Sequence, residues 1–591
     1  MRTFKQLCRG FNKFEWGLLK KGAKVQFSNT RCMSAQPAQK FVQGRNGERI
    51  IPSPYGNIET LDTFIPEYVW RNVNEFSNNI ALECGVTGRK YTYAEARDAS
   101  NYVARSLRNM GYAEGDIIAL ITPNLPESAI AFLGILEAGL VVTTINPYYT
   151  VEEMAMQLDR AGVKGIIAAR EVAQTALRAA RSKLPVSVPM IVIDDGTGPI
   201  MEDVIPFKDL ITRGKELPPL KPLTRSPDDV AVLPFSSGTT GLPKGVMLTH
   251  RNITTNIEMV EASGYKIWEE MSSIDQHVIP MFLPFFHIFG MNGVMLPRLA
   301  AGAKLVTLPR FMPETFLNVL ATKKPTFLYV VPPVILFLSV SPFVKKQHLE
   351  HVRAGFSGAA PLAKQDVERL YEKFGLDRDR FKMYQGYGLT ESAPVAFLET
   401  TGRKYASIGK NIRGCEVRLV DQVTKMDVIE PGKTGELWIR GPHIMKGYYN
   451  NPDATREILD DDGWLKTGDI AYFDEDLDFY ITDRLKELIK VKGFQVAPAE
   501  LEALLRTHPS VQEAAVIGIP DQRFGEVPRA YVLLKKDKSA SEEEIKNYLK
   551  GKVSEYKELN GGVVFVDEIP KNATGKILRV QMKEKFLKQR V

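Results

Sequence analysis

The sequence predicts an α/β protein, with a large N-terminal domain of parallel-rich sheets flanked by helices and a small α+β C-terminal domain. Three observations carry this. The 591 residues exceed the roughly 250–300 at which a single core stops growing. Through residues 93–168, short unbroken apolar runs alternate with segments of helical period, the pattern of strands buried on both faces and joined by helical crossovers. After about residue 484 the alternation gives way to a shorter mixture of helices and strands. The expected division is a leader at 1–40, a large domain at 41–483 and a small domain at 484–591.

The leader stands apart by charge. It holds nine basic side chains against Glu15 and carries +8, whereas the rest of the chain carries −1. Phe4, Leu7, Phe11, Phe14 and Leu18 recur at spacings of three and four among Lys5, Arg9 and Lys13, which makes an amphipathic, acid-poor helix of the mitochondrial transit type. A disordered tail, or a helix lying on a membrane surface, carries similar features. The stretch Ser28 to Ser34 suits a processing site without fixing its position, and the final Lys588-Gln589-Arg590-Val591 is not a peroxisomal address. A body near neutrality gives no footprint for nucleic acid.

Residues 93–109 place Ala96, Ala99, Val103 and Leu107 on one helical face, and Ile117-Ile118-Ala119-Leu120-Ile121 reads as a buried strand ended by Pro123-Asn124. A helix near 126–138 leads to the apolar pair Val141-Val142, and Thr150 with Glu153 forms a capping-box signal before the next helix and the strand-like Gly165-Ile166-Ile167-Ala168. In the C-terminal part, 498–507 and 541–555 read as helices and 513–518, 529–534 and 562–566 as strands. No solenoid repeat is evident. Cys8, Cys32, Cys84 and Cys415 lack metal-ligand spacing, and no uncharged apolar run reaches the roughly 20 residues that span a bilayer.

The densest chemical signal is Ser236-Ser237-Gly238-Thr239-Thr240-Gly241-Leu242-Pro243-Lys244-Gly245, after the apolar run Val230–Leu233. Its glycines allow backbone approach, its hydroxyls donate and its lysine supplies charge, a combination suited to a polyphosphate. It is not a Walker loop, because Gly245 follows Lys244, and a loop of this composition also serves as a plain connection. In Gln385-Gly386-Tyr387-Gly388-Leu389-Thr390-Glu391 a ring able to stack on a base precedes a hydroxyl and a carboxylate able to hold phosphate and magnesium. Thr467-Gly468-Asp469 offers an acceptor for ribose hydroxyls, and residues 483–493 and 570–576 are cationic. Read alone, His287, set among Phe285, Phe286 and Phe289, is a core residue. His348 and His351 lack a third ligand and read as surface residues.

Taken together and in order, SSGTTGLPKG, GAAP at 358–361, YGLTE, TGD, DRLKELIKVKGFQVAPAELE and PKNATGK closely resemble the adenylate-forming superfamily of acyl-CoA synthetases, luciferases and peptide-synthetase adenylation domains. Within it the chain looks most like 4-coumarate CoA ligase and its animal relatives, over roughly residues 55–590. The resemblance implies that Ser236, Ser237, Gly238, Thr239, Thr240 and Lys244 hold the ATP phosphates, and that Ala359, Gln385 and Gly386 line the nucleotide and acyl-adenylate site. It also implies that Thr390 and Glu391 contact phosphate and Mg2+, and that Asp469 and Arg484 bind ribose. His287 then borders the acyl pocket and orients or gates the carboxylate, and Lys576 serves adenylation. Lys490 stands beside the thioester-forming site, Arg310, Lys492 and Gly493 lie near coenzyme A, and Lys486 is the hinge of a mobile small domain.

The implied reaction joins a carboxylic acid to coenzyme A through an acyl-AMP, using ATP and Mg2+. Phe285, Phe289, Met291, Tyr329, Pro394 and Val395 give the expected acyl pocket an apolar lining. With the leader, this favours a medium- or long-chain fatty acid, fatty acid metabolism and a mitochondrial location. The alternatives are an aromatic acid ligase of the 4-coumarate type, a luciferase-like oxygenase, a noncatalytic acyl- or nucleotide-binding protein and, for location, the cytoplasm.

Overall fold

Alternate residues of single strands feed opposite cores, which is why the chain builds layers. In the strand Ile117–Ile121, Ile118 and Leu120 face one apolar cluster while Ile117, Ala119 and Ile121 face another. The computed structural model of the protein describes residues 41–591 apart from 185–187, 195–202, 237–242, 262–264, 266, 268–270, 486, 492–493, 522, 554, 573–574 and 589–591. The expected leader at 1–40, Ser237, Gly238, Thr239, Thr240, Lys486, Lys492 and Gly493 therefore lie outside the described residues.

The expected α/β architecture is present. Ile117–Ile121 sits centrally in a sheet, pairing in parallel with Val141–Thr144 on one side and Gly165–Ala169 on the other. Met190–Ile193 and Ile205–Pro206 extend it in parallel on one flank, and Val230–Val232 on the other. The helix Tyr93–Asn109 begins on a capping box closed by Thr92 and Glu95. The helix Val151–Ala161 begins on the expected Thr150 and Glu153 box, with Oγ1 of Thr150 accepting from the Glu153 N–H at 3.2 Å and the Glu153 carboxylate accepting from the Thr150 N–H at 2.8 Å. Each such cap contributes about 1 kcal/mol. The helix Pro126–Glu137 packs almost wholly inside.

Two further sheets complete the frame around the site. Phe327–Val330, Ala354–Ser357 and Lys382–Gly388 run in parallel, and Val395–Glu399 returns antiparallel. An antiparallel sheet carries Gly435–Arg440, Leu465–Phe473 and Phe479–Arg484. Sheet membership changes between Arg484 and Ile489. The last sheet holds Ile489–Val491, Phe494–Val496, Val511–Asp521 and Gly525–Leu534, with Val563–Phe565 parallel to the last of these.

Two sequence readings need correction. The expected helix at 541–555 ends at Leu549, because Lys550 turns extended and Gly551 takes φ +74°. Val553 and Tyr556 still reach the core shared by Ile545 and Leu549, so the apolar spacing persists without a helix. His348 is buried rather than on the surface, in the short 3-10 turn Lys346–Leu349, where its Nδ1 accepts from the Lys345 N–H at 2.9 Å. His351 is exposed as expected. Among the described residues no helix is long and apolar enough to cross a membrane.

Candidate active site

Lys244 is brought to Ser236 by strand pairing. Phe235–Ser236 and Lys244–Thr249 are antiparallel, with Ser236 opposite Lys244. Oγ of Ser236 donates to Oε1 of Glu391 at 2.9 Å, and the Tyr448 hydroxyl donates to the same oxygen at 2.9 Å. Nζ of Lys244 stands 5.0 Å from the centre of the Tyr448 ring. Burial and the neighbouring Glu391 push the Tyr448 phenol far above its ordinary pKa, so it remains a donor.

Glu391 and Thr390 lie in the 3-10 turn Thr390–Ser392, directly after the strand Lys382–Gly388. Among the described residues Oε2 of Glu391 accepts no hydrogen bond. A free carboxylate oxygen beside a hydroxyl is a hard-oxygen donor set that fits Mg2+, and these two residues would hold it against the phosphates.

Gln385 and Tyr387 share the strand Lys382–Gly388, and Tyr387 meets the Asp469 and Arg484 pair. Gln385 is buried, accepts from the Leu362 N–H at 3.1 Å and donates to the Ser407 carbonyl at 2.7 Å. Its amide thus ties the loop carrying Ala359 to the strand below. Ala359 itself is exposed at φ +69°, a strained conformation for a residue with a Cβ. Gly386 lies over the Phe356 ring, which an added Cβ would approach to 2.5 Å. The Tyr387 hydroxyl donates to Asp469, whose other oxygen lies 3.0 Å from Nε of Arg484. Asp469 is 2 % exposed, and each of its oxygens keeps a lone pair for a further donor.

Lys576 reaches this same corner. Its N–H donates to Oδ1 of Asn572 at 2.9 Å, and the Gly575 N–H donates to the Asn572 carbonyl at 2.9 Å. Gly575 takes φ +80°, and a Cβ there would stand 2.8 Å from Cγ of Pro333, so only glycine lets this loop lie against the helix Pro332–Val340. Burial and the Arg484 guanidinium hold the Lys576 ammonium below the usual lysine pKa, against the opposing pull of Glu487 and Asp469. Lys490 is not brought there. It is exposed on Ile489–Val491, and its N–H donates to Glu526 at 3.0 Å. Arg310 donates through Nε to the Tyr148 hydroxyl at 3.2 Å.

His287 lies two residues before the helical turn Phe289–Met295. Its Nδ1 accepts from the Phe289 N–H at 3.2 Å, and burial pulls the imidazole down to about pKa 4. The ring is neutral at pH 7 and, with Nδ1 an acceptor, carries its proton on Nε2. Phe289 is 9 % exposed and lies over Gly293 and Gly358, where an added Cβ would come within 2.6 and 3.0 Å of the ring, and its centre is 6.4 Å from that of Phe356. Phe285, Met291, Tyr329, Pro394 and Val395 are all buried.

Ser236 paired with Lys244 and bonded to Glu391, the Asp469 and Arg484 pair with Tyr387, and a neutral His287 beside the buried Phe289 together suit an adenylate-forming enzyme. The AMP-binding enzyme family matches residues 69–449, and the AMP-binding enzyme C-terminal domain matches residues 500–576. The chain belongs to this family and is an ATP-dependent acid–thiol ligase that works through an acyl-AMP. It is 38% identical to 4-coumarate–CoA ligase 1 of Arabidopsis thaliana, over 89% of this chain and 94% of that one. It is 36% identical to a probable 4-coumarate–CoA ligase of Dictyostelium discoideum, over 91% and 98%. Among solved structures, the anthranilate CoA ligase AuaEII in complex with anthranoyl-AMP superposes with TM-score 0.79 at 27% identity, over 90% of this chain and 99% of that one. ATP-bound MatB from Rhodopseudomonas palustris gives 0.78 at 26%, over 89% and 99%. Sequence reading missed Tyr448, whose part rests on a contact with Glu391 that no local pattern announces.

Proposed function

We propose that the chain activates an apolar carboxylic acid, a medium- or long-chain fatty acid, and transfers it to coenzyme A. One observation carries the substrate class. The Phe289 ring packs on Gly293, Gly358 and Phe356, none of which brings a polar side-chain group, so this wall favours an apolar acid. A carboxylate is a poor acyl donor, and its attack on the α-phosphate sets like charges together. Nε2–H of His287 orients the carboxylate, and Lys244 and Lys576 offset the charge. Glu391 and Thr390 would hold Mg2+, which would supply further positive charge at the phosphates. A carboxylate oxygen bonds to the α-phosphorus as the bond to the departing pyrophosphate breaks. Coenzyme A thiolate then attacks the carbonyl carbon and AMP leaves.

Ser236, Ser237, Gly238, Thr239 and Thr240 serve as phosphate donors, Ala359 and Gly386 border the adenylate, and Asp469 and Arg484 take the ribose. In the second step Lys490, Lys492, Gly493 and Arg310 face coenzyme A after rotation at Lys486. The exposed position of Lys490, with Lys576 against Asp469 and Arg484, suits the adenylating arrangement. We assign the leader to mitochondrial import. Deleting residues 1–33 is expected to leave purified activity intact and abolish delivery, and unchanged localisation would refute this.

The names of the 36–39% identical relatives favour a second substrate reading, an aromatic acid of the 4-coumarate type. Pyrophosphate release by the purified protein with ATP, coenzyme A and matched panels of straight-chain and hydroxycinnamic acids separates the two. A higher kcat/KM for octanoate to palmitate than for 4-coumarate supports the fatty acid; the reverse order overturns it.

A further inference from the structure

A chain of alternating charges runs from the small-domain core to the adenylating lysine. Glu502, 6 % exposed, accepts from the Val516 N–H at 2.8 Å and receives both Nη2 and Nε of Arg579, at 2.7 and 3.2 Å. The other arm of Arg579 donates through Nη1 to Oε2 of Glu487 at 2.6 Å. Oε1 of Glu487 then stands 3.8 Å from Nζ of Lys576. We propose that Glu487 is a positioning residue for adenylation, holding the Lys576 ammonium toward the nucleotide corner without occupying its hydrogens. The inference rests on the assignment of Lys576 given above.

The distances explain why Glu487 suits this task. At 3.8 Å the contact is too long for a hydrogen bond and short enough for strong attraction, so the ammonium hydrogens stay available to a phosphate or carboxylate oxygen. The Glu487 carboxylate is kept from closing on Lys576 by Arg579, which is itself fixed by the two-point fork on Glu502.

Charge counting leads to the same residue. Arg484 and Arg579 repel the Lys576 ammonium, whereas Asp469 and Glu487 attract it. Asp469 already faces Arg484 and the Tyr387 hydroxyl. The set of Glu502, Arg579, Glu487 and Lys576 is neutral as a whole, and neutralising Glu487 leaves a net positive charge around the lysine. Glu487→Gln keeps the shape and an acceptor for Arg579 while removing that charge.

The test follows acid-dependent ATP–pyrophosphate exchange with octanoate from pH 6 to pH 10 in the full chain, alongside consumption of supplied octanoyl-AMP by coenzyme A. For Glu487→Gln the alkaline limb of exchange is expected to move to lower pH by about half a unit or more. Exchange at pH 9 falls several-fold, and octanoyl-AMP is consumed at the unmodified rate. Glu487→Asp, which retains the charge, is expected to keep the alkaline limb in place. A limb that coincides with the unmodified protein's in Glu487→Gln overturns the inference. So does a parallel fall in octanoyl-AMP consumption, which marks general damage to the small domain. If Lys576→Ala exchanges normally, the assignment of Lys576 fails and this inference with it. If Lys576→Ala abolishes exchange while Glu487→Gln leaves the limb unmoved, only the inference about Glu487 fails.

Discussion

Truncating Phe289 is expected to lengthen the acids that the protein prefers. The ring lies over Gly293 and Gly358, so Phe289→Ala opens room against two residues that bring no side chain to refill it. That room holds about three more methylenes, and each buried methylene contributes about 0.8 kcal/mol. The gain for an acid long enough to fill the space is then about 2.4 kcal/mol, or roughly 50-fold in kcat/KM relative to an acid that stops short. The same change costs about 3 kcal/mol of stability or more, because the ring is nearly buried. The assay is pyrophosphate release across straight-chain acids of six to sixteen carbons, at a temperature where urea melts show the variant folded. A kcat/KM optimum that shifts by two to four carbons supports the geometry. A single common factor across the panel refutes it, since the ring would then support the fold without limiting the chain.

Two further outcomes follow from charge and placement. His250 and His443 are buried, and burial depresses both to about pKa 3. Because the folded values lie below the ordinary 6.5, the unfolded chain binds more protons below pH 6.5, so stability falls as pH drops from there toward pH 3. Between pH 7 and pH 5 each histidine removes about 2 kcal/mol. His250→Asn retains an acceptor for the Ile65 N–H and is expected to flatten the fall in urea midpoint over that window; an unchanged slope contradicts the linkage. Lys490→Ala is expected to leave ATP–pyrophosphate exchange within about twofold while lowering conversion of supplied acyl-AMP at least tenfold, measured by rapid quench. Loss of exchange equal to loss of conversion would remove Lys490 from the second step.

Much of the fold was legible because it rests on local pattern. The two-faced strand Ile117–Ile121, the Thr150 and Glu153 cap and the change of sheet after Arg484 each leave a signature within a few residues. The helix through 541–555 was overextended because Val553 and Tyr556 keep apolar spacing beyond the Gly551 turn. His348 was misplaced because burial is set by packing around the turn, which two histidines three apart do not report. Ordered motifs pointed to Ser236, Lys244, Glu391 and Asp469, and the structure sets Ser236 opposite Lys244 and against Glu391, and Asp469 against Arg484. The work of Tyr448 on Glu391 and of Arg579 on Glu487 spans 57 and 92 residues and was invisible to local reading. Gln385 shows the finer limit: its motif marked the site, but only the contacts to Leu362 and Ser407 show the side chain bridging two segments of the protein.

Lys576, held near Asp469 and Arg484, is expected to serve the first chemical step and not the second. Lys576→Ala, assayed separately for octanoate-dependent ATP–pyrophosphate exchange and for conversion of supplied octanoyl-AMP to the coenzyme A thioester, tests it most directly. Exchange is expected to fall about 10²–10³-fold, the loss typical of one charge-stabilising donor, with conversion of octanoyl-AMP preserved within about twofold. Equal losses in the two half-reactions, or exchange that survives the substitution, would contradict it.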